Sequence, residues 1–540
     1  GCFVSELGTG YTWWRNSREC KLTPWSNDPV LDIPGEIGYL RDERSGQSWT
    51  LFPWGAPAGY SYEAVHSLGY SRFRHERNGV LHETAVFVPK DDPVKILEVR
   101  IVNQTDGPRH MSLTYYAEWV LGVQREQSAP FIVTEWDETA QVLFAENMYQ
   151  EHFRGAAAFM QIFSAEPEQV RMTEEKPRQT LTWTGDRSEF IGRGRSLRNP
   201  AAMERTSLSG QTGANGDPCG AVQLSFELSG GEEQVVYIVF GCGSSRAEAL
   251  DLAKRYRNPA KCRGAFDEVV RFWEETVRQT VVSTPSAEMD LLMNGWLLYQ
   301  TLSCRMWGRS AFYQSGGAYG YRDQLQDSLS ILHTRPDLTR KQIILHASHQ
   351  YEEGDVQHWW HEETGRGIRT LYSDDYLWLP YAISRYVEHT GDVGLLDVRA
   401  PYLKSGLLQG DEHERYEETR WSALEETIYQ HGLRALDRAI SRLGEHGLPL
   451  IGIGDWNDGM NRIGAAGRGE SVWLAWFLYH VLDRYTSVCE KRGDHEHAER
   501  YRRAMSRLAE AADQHGWDGA WFRRAFDDHG RWLGTVSGEE

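Results

Sequence analysis

Residues 221–250 read AVQLSFELSGGEEQVVYIVFGCGSSRAEAL, and the fold turns on how this stretch is read. Ala221–Leu228 alternates apolar and polar side chains with period two, the pattern of a half-buried strand. Gln234–Phe240 is a β-branched and aromatic run of strand length. Gly230-Gly231 between them predicts a hairpin. After Ser245, Arg246-Ala247-Glu248-Ala249-Leu250 opens a helical pattern that reaches Val277. The chain therefore changes from β to α near residue 245.

Toward the N-terminus the β reading continues. Ile96–Val102 and Met111–Trp119 alternate in the same way, and Gly, Pro and Asn punctuate short runs throughout. Many short strands at this spacing predict a sandwich rather than βαβ units. Toward the C-terminus the period becomes 3.6. Met289, Leu292, Met293, Trp296 and Leu297 fall on one face of a helix ending near Arg305. Further helices are predicted over 323–334, 338–351, 374–390, 421–443, 470–491 and 494–514. Glu425-Glu426 would begin the fourth of these, where carboxylates suit the helix dipole. The predicted organisation is a β-sandwich over 1–245, a helical linker over 246–285 and a helical catalytic domain over 286–540. There is no short repeat and no low-complexity tract.

Composition narrows the class. A chain of 540 residues is long enough for two to four domains at about 150 residues each. Its net charge of −19 argues against nucleic acid and against an anionic lipid surface. No apolar run reaches about 18 residues, so no membrane insertion is expected. The N-terminus lacks a basic start, an apolar core and an initiator Met, so no signal peptide is expected and a native start upstream is. The seven cysteines are scattered with no CxxC, which disfavours zinc and a disulfide framework and fits a reducing cytoplasm. The 21 Trp and 25 Tyr serve a core, yet a flat ring also stacks on the C–H face of a pyranose, and composition does not choose between the two.

Two loops carry the chemistry. The first runs from Phe312 through Gln314-Ser315-Gly316-Gly317-Ala318-Tyr319-Gly320-Tyr321-Arg322-Asp323 to Gln326-Asp327. Gly316 and Gly317 would let backbone approach a ligand, while Arg322 and Asp323 would grip sugar hydroxyls through charged hydrogen bonds. The plain alternative is that Asp323 caps the next helix. The second loop is Leu448–Asn461, with Asp455-Trp456-Asn457-Asp458 at its centre. A turn explains the Asp, Asn and Gly, but not an exposed Trp. A carboxylic acid beside Trp is expected to have a raised pKa and to serve as a general acid. A third stretch, His358-Trp359-Trp360-His361 with Ser373-Asp374-Asp375, reads as a cleft lining, with Trp359 and Asp375 as candidate sugar contacts. Either aspartate could instead cap the helix that follows. No third ligand sits at metal-site spacing, so no metal is expected. His346 and His349 read as packing or surface residues. GxSxG, a strand-linked GxGxxG and GxxxxGK[ST] are absent.

Tyr321-Arg322-Asp323-x-x-Gln326-Asp327 and Asp455-Trp456-Asn457-Asp458 together resemble glycoside hydrolase family 94, the inverting glycoside phosphorylases that include cellobiose and chitobiose phosphorylase. Gln314–Gly320 and the opening Thr23-Pro24-Trp25-Ser26-Asn27-Asp28-Pro29 are similar to the subgroup of cyclic β-1,2-glucan synthase C-terminal regions and 1,2-β-oligoglucan phosphorylase. The resemblance implies an N-terminal β-sandwich, a helical linker and an (α/α)6 barrel. It implies attack of inorganic phosphate on a β-glucoside, with no cofactor, to give α-glucose 1-phosphate. On that pattern Asp458 is the general acid. Trp456, Arg322 and Asp323 shape the glucose subsite, Asp455 and Gln326 belong to the same motifs, and Arg309 lies near the phosphate. Where cellobiose-type members carry an Arg, this chain has Gly317, which favours β-1,2-glucan. About eight of twelve barrel helices fit between Ser286 and Glu540, and the family's phosphate-binding His and Thr-Gly segment falls beyond the matched region. The stretch is thus expected to belong to a larger multidomain synthase. An inverting β-glucan hydrolase and a non-catalytic glucan-binding module are the competing readings.

Overall fold

The computed structural model describes residues 1–28, 30–57, 59–165, 179–214 and 216–538, so Pro29 of the opening motif and Glu539-Glu540 lie outside the described residues. The chain forms two compact units. One comprises Gly1–Tyr299 with Gly308–Gly317, the other Gln300–Trp307 with Ala318–Glu540.

The first unit is built on two antiparallel sheets. The larger orders its strands Ile132–Asp137, Val142–Asn147, Ala157–Ser164, Glu233–Gly243, Val94–Asn103, Val80–Phe87, Tyr70–Arg77 and Tyr62–Ser67. The smaller orders Gln179–Asp186, Pro218–Leu228, Arg109–Glu118, Glu36–Asp42 and Ser48–Thr50. Period-two alternation sends Leu97, Val99 and Ile101 from one sheet, and Leu113, Tyr115 and Ala117 from the other, into one buried cluster. Each fully buried large apolar side chain there contributes roughly 1.5–3 kcal/mol.

The expected hairpin is an arch. Pro218–Leu228 pairs with Arg109–Glu118, whereas Glu233–Gly243 pairs with Val94–Asn103 in the other sheet. Ser229–Glu232 therefore crosses between the two layers. Asn103 fixes the crossing: its Nδ2 donates to Gly107 O at 2.8 Å, Ser229 O at 3.0 Å and Leu228 O at 3.2 Å. A side chain at Gly230 would stand 2.3 Å from Asp106 O. A Gly-Gly turn allows the reversal, but the partners of two largely buried strands are decided by the layers they fill.

Helices Arg246–Tyr256 and Pro259–Val277 follow as expected. Ser245 caps the first through Glu248 N at 3.1 Å, and Asn258 caps the second with Pro259 at its first position. Residues 287–308 are helical but contain π turns at Leu292–Trp296 and Thr301–Gly308. A π turn breaks the 3.6 register, and the expected stripe is not buried: Met289, Leu292, Met293 and Leu297 are exposed.

In the second unit six α-helices have ten or more residues among the described residues: Tyr321–Ser330, Pro336–Ser348, Trp378–Thr390, Ile428–Ser441, Val472–Lys491 and His495–Ala511. They share one core, to which Leu325, Ile343, Leu379, Ile383, Leu436 and Leu482 each contribute. One expectation fails at its start. Trp421–Thr427, including Glu425-Glu426, is a strand paired with Arg399–Leu403, and the helix begins only at Ile428. Thr427 makes a capping box with Gln430, and its extended backbone ends the strand where the cap begins. A four-stranded sheet (Tyr319–Gly320, Gln357–His361, Arg366–Thr370, Glu414–Glu418) lies beside the Tyr321 helix in sequence order. Among the described residues no helix is long and apolar enough to cross a membrane.

Candidate active site

The first motif enters the helix Tyr321–Ser330. Gly320 is its N-cap residue, with no side-chain cap. Asp323 therefore does not cap the helix. Its carboxylate is half exposed and lies 3.9 Å from Arg322 Nε. His346, fully buried, meets Gln342 O at 2.8 Å and Gly320 O at 3.3 Å, and burial pushes its pKa down to about 4. His349 stacks on Trp360 at 3.9 Å, and burial takes its pKa to about 3. Both histidines are packing residues. Asp327 pairs with Arg305 at 2.9 Å.

The second motif is stapled to the Tyr372-Ser373 turn. Ser373 Oγ donates to Ile451 O at 3.0 Å and Gly454 O at 3.1 Å, and its N–H donates to Gly454 O at 3.0 Å. Gly454 has φ +143°, and a Cβ there would stand 2.7 Å from the Tyr372 ring. Asp455 is fully buried and holds the loop from within. One oxygen accepts from Arg524 at 2.6 Å and Asn457 N at 3.1 Å, the other from Ser471 Oγ at 2.6 Å.

The two motifs meet on one guanidinium. Arg322 is buried; it donates to Asp458 at 2.6 Å and to Asp455 O at 3.2 Å, and stands 3.5 Å from Asp374. Asp458 was expected to be an acid packed beside Trp. Its side chain is instead 54% exposed and paired with Arg322. Asp374 is fully buried and accepts from Trp378 Nε1 at 3.0 Å. Burial, then the neighbouring charge of Asp375, pushes its pKa up to about 7. Trp456 is 53% exposed; its Nε1 donates to Gln326 Oε1 at 3.2 Å, and Gln326 Nε2 reaches Arg322 O at 3.4 Å. The indole edge is thus pinned while much of the ring stays open, the arrangement of a stacking platform.

Asp375 caps nothing through its side chain; it holds His358. The carboxylate is buried, and His358 Nδ1 stands 2.8 Å from one oxygen. His358 stacks on Tyr372 at 4.5 Å, and the Arg322 guanidinium lies 5.9 Å from that same ring. Burial would lower the His358 pKa, but the charge and hydrogen bond of Asp375 outweigh it and hold it above the ordinary value. The sequence offers His358 with His361 only as a metal pair lacking a third ligand, and Trp359 as the sugar contact. Trp359 meets Tyr416 at 5.5 Å. His358 sits at a register shift of its strand, between Gln357 and Trp359, so simple strand alternation carried no signal for it.

Arg309 belongs to the first unit. There its Nε donates to Gly317 O at 3.1 Å. Gly317 has φ +65°, Asn16 Nδ2 donates to its carbonyl at 2.9 Å, and a Cβ would stand 2.2 Å from Asn16 Oδ1. That packing requires glycine whether or not a ligand approaches. The second unit thus gathers Arg322, Asp323, Gln326, Asp375, Asp455, Trp456 and Asp458. One buried cation, several carboxylates and an open indole form a surface suited to a polyol, and the half-exposed Asp458 carboxyl is open to it. Among the described residues no group of three His, Cys, Asp or Glu could hold a metal, and the seven cysteines are free thiols.

Residues 1–259 match the family described as "Glycosyl hydrolase 94, supersandwich domain", and residues 272–540 match "Glycosyl hydrolase 94 superfamily, catalytic domain". The chain is 37% identical to the cyclic β-(1,2)-glucan synthase NdvB of Rhizobium meliloti (strain 1021), over all of this chain and 19% of that protein. It is 28% identical to the N,N'-diacetylchitobiose phosphorylase of Vibrio furnissii, over 99% of this chain and 67% of that protein. A bacterial glucoamylase solved with acarbose has the same fold at a TM-score of 0.51 and 9% identity, covering 95% of this chain and 69% of its own.

Proposed function

Because this chain belongs to the glycosyl hydrolase 94 superfamily, with its supersandwich and catalytic domains in sequence, we propose that it phosphorolyses β-glucosides with inversion and that its substrate is β-1,2-linked glucan. The observation that carries the reading is the convergence of both motifs on Arg322, which binds Asp458 at 2.6 Å. Phosphate oxygen attacks the anomeric carbon as the C1–O bond breaks. Asp458 protonates the leaving oxygen, and the proton of hydrogen phosphate restores the balance. An inverting hydrolase needs a second carboxylate to activate water, and phosphate removes that need. Arg322 and Asp323 bind hydroxyls of the terminal glucose, and Trp456 stacks on a sugar face. The reaction uses no cofactor. The β-1,2 linkage draws support from the relative named as a cyclic β-(1,2)-glucan synthase. The chain spans 19% of that relative, so membership of a larger synthase is part of the proposal.

The test is incubation with linear β-1,2-glucan, with and without inorganic phosphate, assaying glucose 1-phosphate. Phosphate-dependent product is expected. Phosphate-independent glucose would replace the proposal with hydrolysis. Binding without turnover would replace it with a glucan-binding module.

A further inference from the structure

Asp375 and His358 form a dyad that the reaction as written leaves unused. Asp375 is 1% exposed, and one of its oxygens faces His358 Nδ1 at 2.8 Å. A buried carboxylate at that distance fixes the proton on Nδ1 and sets the ring orientation. The Tyr372 ring, stacked at 4.5 Å and 22°, fixes the ring plane. The other nitrogen is different. Among the described residues nothing hydrogen-bonds His358 Nε2, and it is not among the buried polar atoms that lack a partner. It is therefore open to solvent on a side chain that is otherwise 18% exposed. A histidine clamped on one nitrogen and open on the other is prepared for a ligand.

The neighbours indicate which ligand. His358 lies within electrostatic reach of Arg322 and Asp458, and Arg322 shares its Tyr372 ring. Strand Gln357–His361 supplies the histidine, the 372–375 turn supplies Tyr372, Asp374 and Asp375, and helix Tyr321–Ser330 supplies Arg322 and Asp323. The carboxylates of Asp323, Asp374, Asp375 and Asp458 lie around Arg322 and His358 there. A neutral hydroxyl suits such a field, because it donates to a carboxylate and pairs with Nε2 as donor or acceptor, whereas an anion meets several carboxyl groups and only one permanent cation. Resting on the glucan-cleaving reading above, we propose that His358 is a sugar-binding residue of this site, its Nε2 hydrogen-bonding a hydroxyl of the terminal glucose rather than the phosphate.

The test uses the full chain carrying D458N to block turnover, with β-1,2-linked glucotriose titrated by calorimetry in the absence of phosphate. H358N keeps an amide near the Nδ1 position and removes Nε2, and H358Q places an amide near the Nε2 position. H358N is expected to weaken glucotriose binding about tenfold, the loss of roughly one hydrogen bond. H358Q is expected to stay within about threefold, with melting temperatures unchanged. In the chain with Asp458 restored, KM for glucan rises in H358N and KM for phosphate does not. Equal affinities for H358N and its parent would overturn the proposal and leave phosphorolysis standing. A shift confined to phosphate KM would overturn it too. Weakened binding in a chain that makes no glucose 1-phosphate would uphold the sugar contact and remove the phosphorylase reading. No glucotriose binding by the parent would remove both.

Discussion

Glu36 in the first unit and Arg322 in the second are both charges taken out of water, and they are compensated differently. Glu36 is closed. One oxygen accepts from Thr12 and Thr23, each at 2.6 Å, and the other from Lys95 at 2.6 Å and Tyr115 at 2.7 Å. The group around Arg322 is open. Asp458 is half exposed, one oxygen of Asp375 has no partner among the described residues, and His358 Nε2 faces solvent. A closed cluster holds a fold. An open one leaves polar capacity unfilled, and such capacity is costly unless a ligand fills it. The sandwich spends its buried charge on itself, and the helical unit keeps its charge available.

The comparison breaks most sharply at Asp458. D458N keeps the side-chain shape and removes the proton donor. Phosphorolysis is expected to fall roughly a thousandfold, while glucan binding and the thermal transition stay near those of the parent. Retained turnover would take the acid role from Asp458 and leave the open cluster without its chemistry.

Next comes the closed cluster. E36Q leaves Lys95 buried without its counter-charge, and losing one partner of a buried pair costs about 3–5 kcal/mol. The first unit should unfold at lower denaturant, with KM and kcat of surviving protein little changed. A small loss of stability would mean that the network is less closed than its four donors suggest.

The two clusters should also answer pH in opposite ways. Burial would raise the Glu36 pKa, but Lys95 and the hydroxyl donors hold it below the ordinary value; Lys95 is held above its own by Glu36 against burial. Stability from Glu36 is present above pH 4.5 and lost as pH falls through its lowered pKa. Stability from Lys95 is present below pH 10.5 and lost as pH rises through its raised one. Between these limits the pair gives no slope. Asp374 is the reverse: its folded pKa is raised from 3.8 to about 7. Its protonated form is favoured in the fold, so that stability is whole below pH 3.8 and lost as pH rises through about 7. Stability should fall by a few kcal/mol at most from pH 5 to pH 8 on this account, and D374N should flatten that slope. Melting curves of both proteins at the two pH values check it; equal slopes would remove Asp374 as the cause.

The sequence was most legible where residue type alone speaks. Trp456 stood out because a turn explains the Asp, Asn and Gly around it but not an exposed Trp, and Arg322, Asp323 and Asp458 because their motifs resemble those of a known family. The β-to-α change at residue 245 was legible because periodicity is local. What depends on a distant partner was not. Residues 221–228 and 234–240 look like a hairpin, yet Asn103 and the two sheets decide that they part. Trp421–Thr427 carries Leu424 and two glutamates that suit a helix, but pairing with Arg399–Leu403 claims it as a strand. His358 was hidden because its meaning lies in Asp375, seventeen residues on.

A finer cut distinguishes a closed cluster from a merely crowded one. Tyr115 donates to Glu36 at 2.7 Å from strand Arg109–Glu118, and it is fully buried. In Tyr115→Phe the ring still packs, and only the hydroxyl is lost. If Glu36 needs all four donors, the loss is that of one hydrogen bond to a charged acceptor, about 1.5 kcal/mol or somewhat more. If Thr12, Thr23 and Lys95 already satisfy the carboxylate, the change is near zero. Chemical denaturation of the variant decides between these, with glucan turnover as the control that must not move. Because a phenol donating to an ionised carboxylate stabilises the charged form, Y115F should also move the acid limb of unfolding to higher pH. A variant that loses stability with no such shift would place the effect in packing rather than in closure of the Glu36 network.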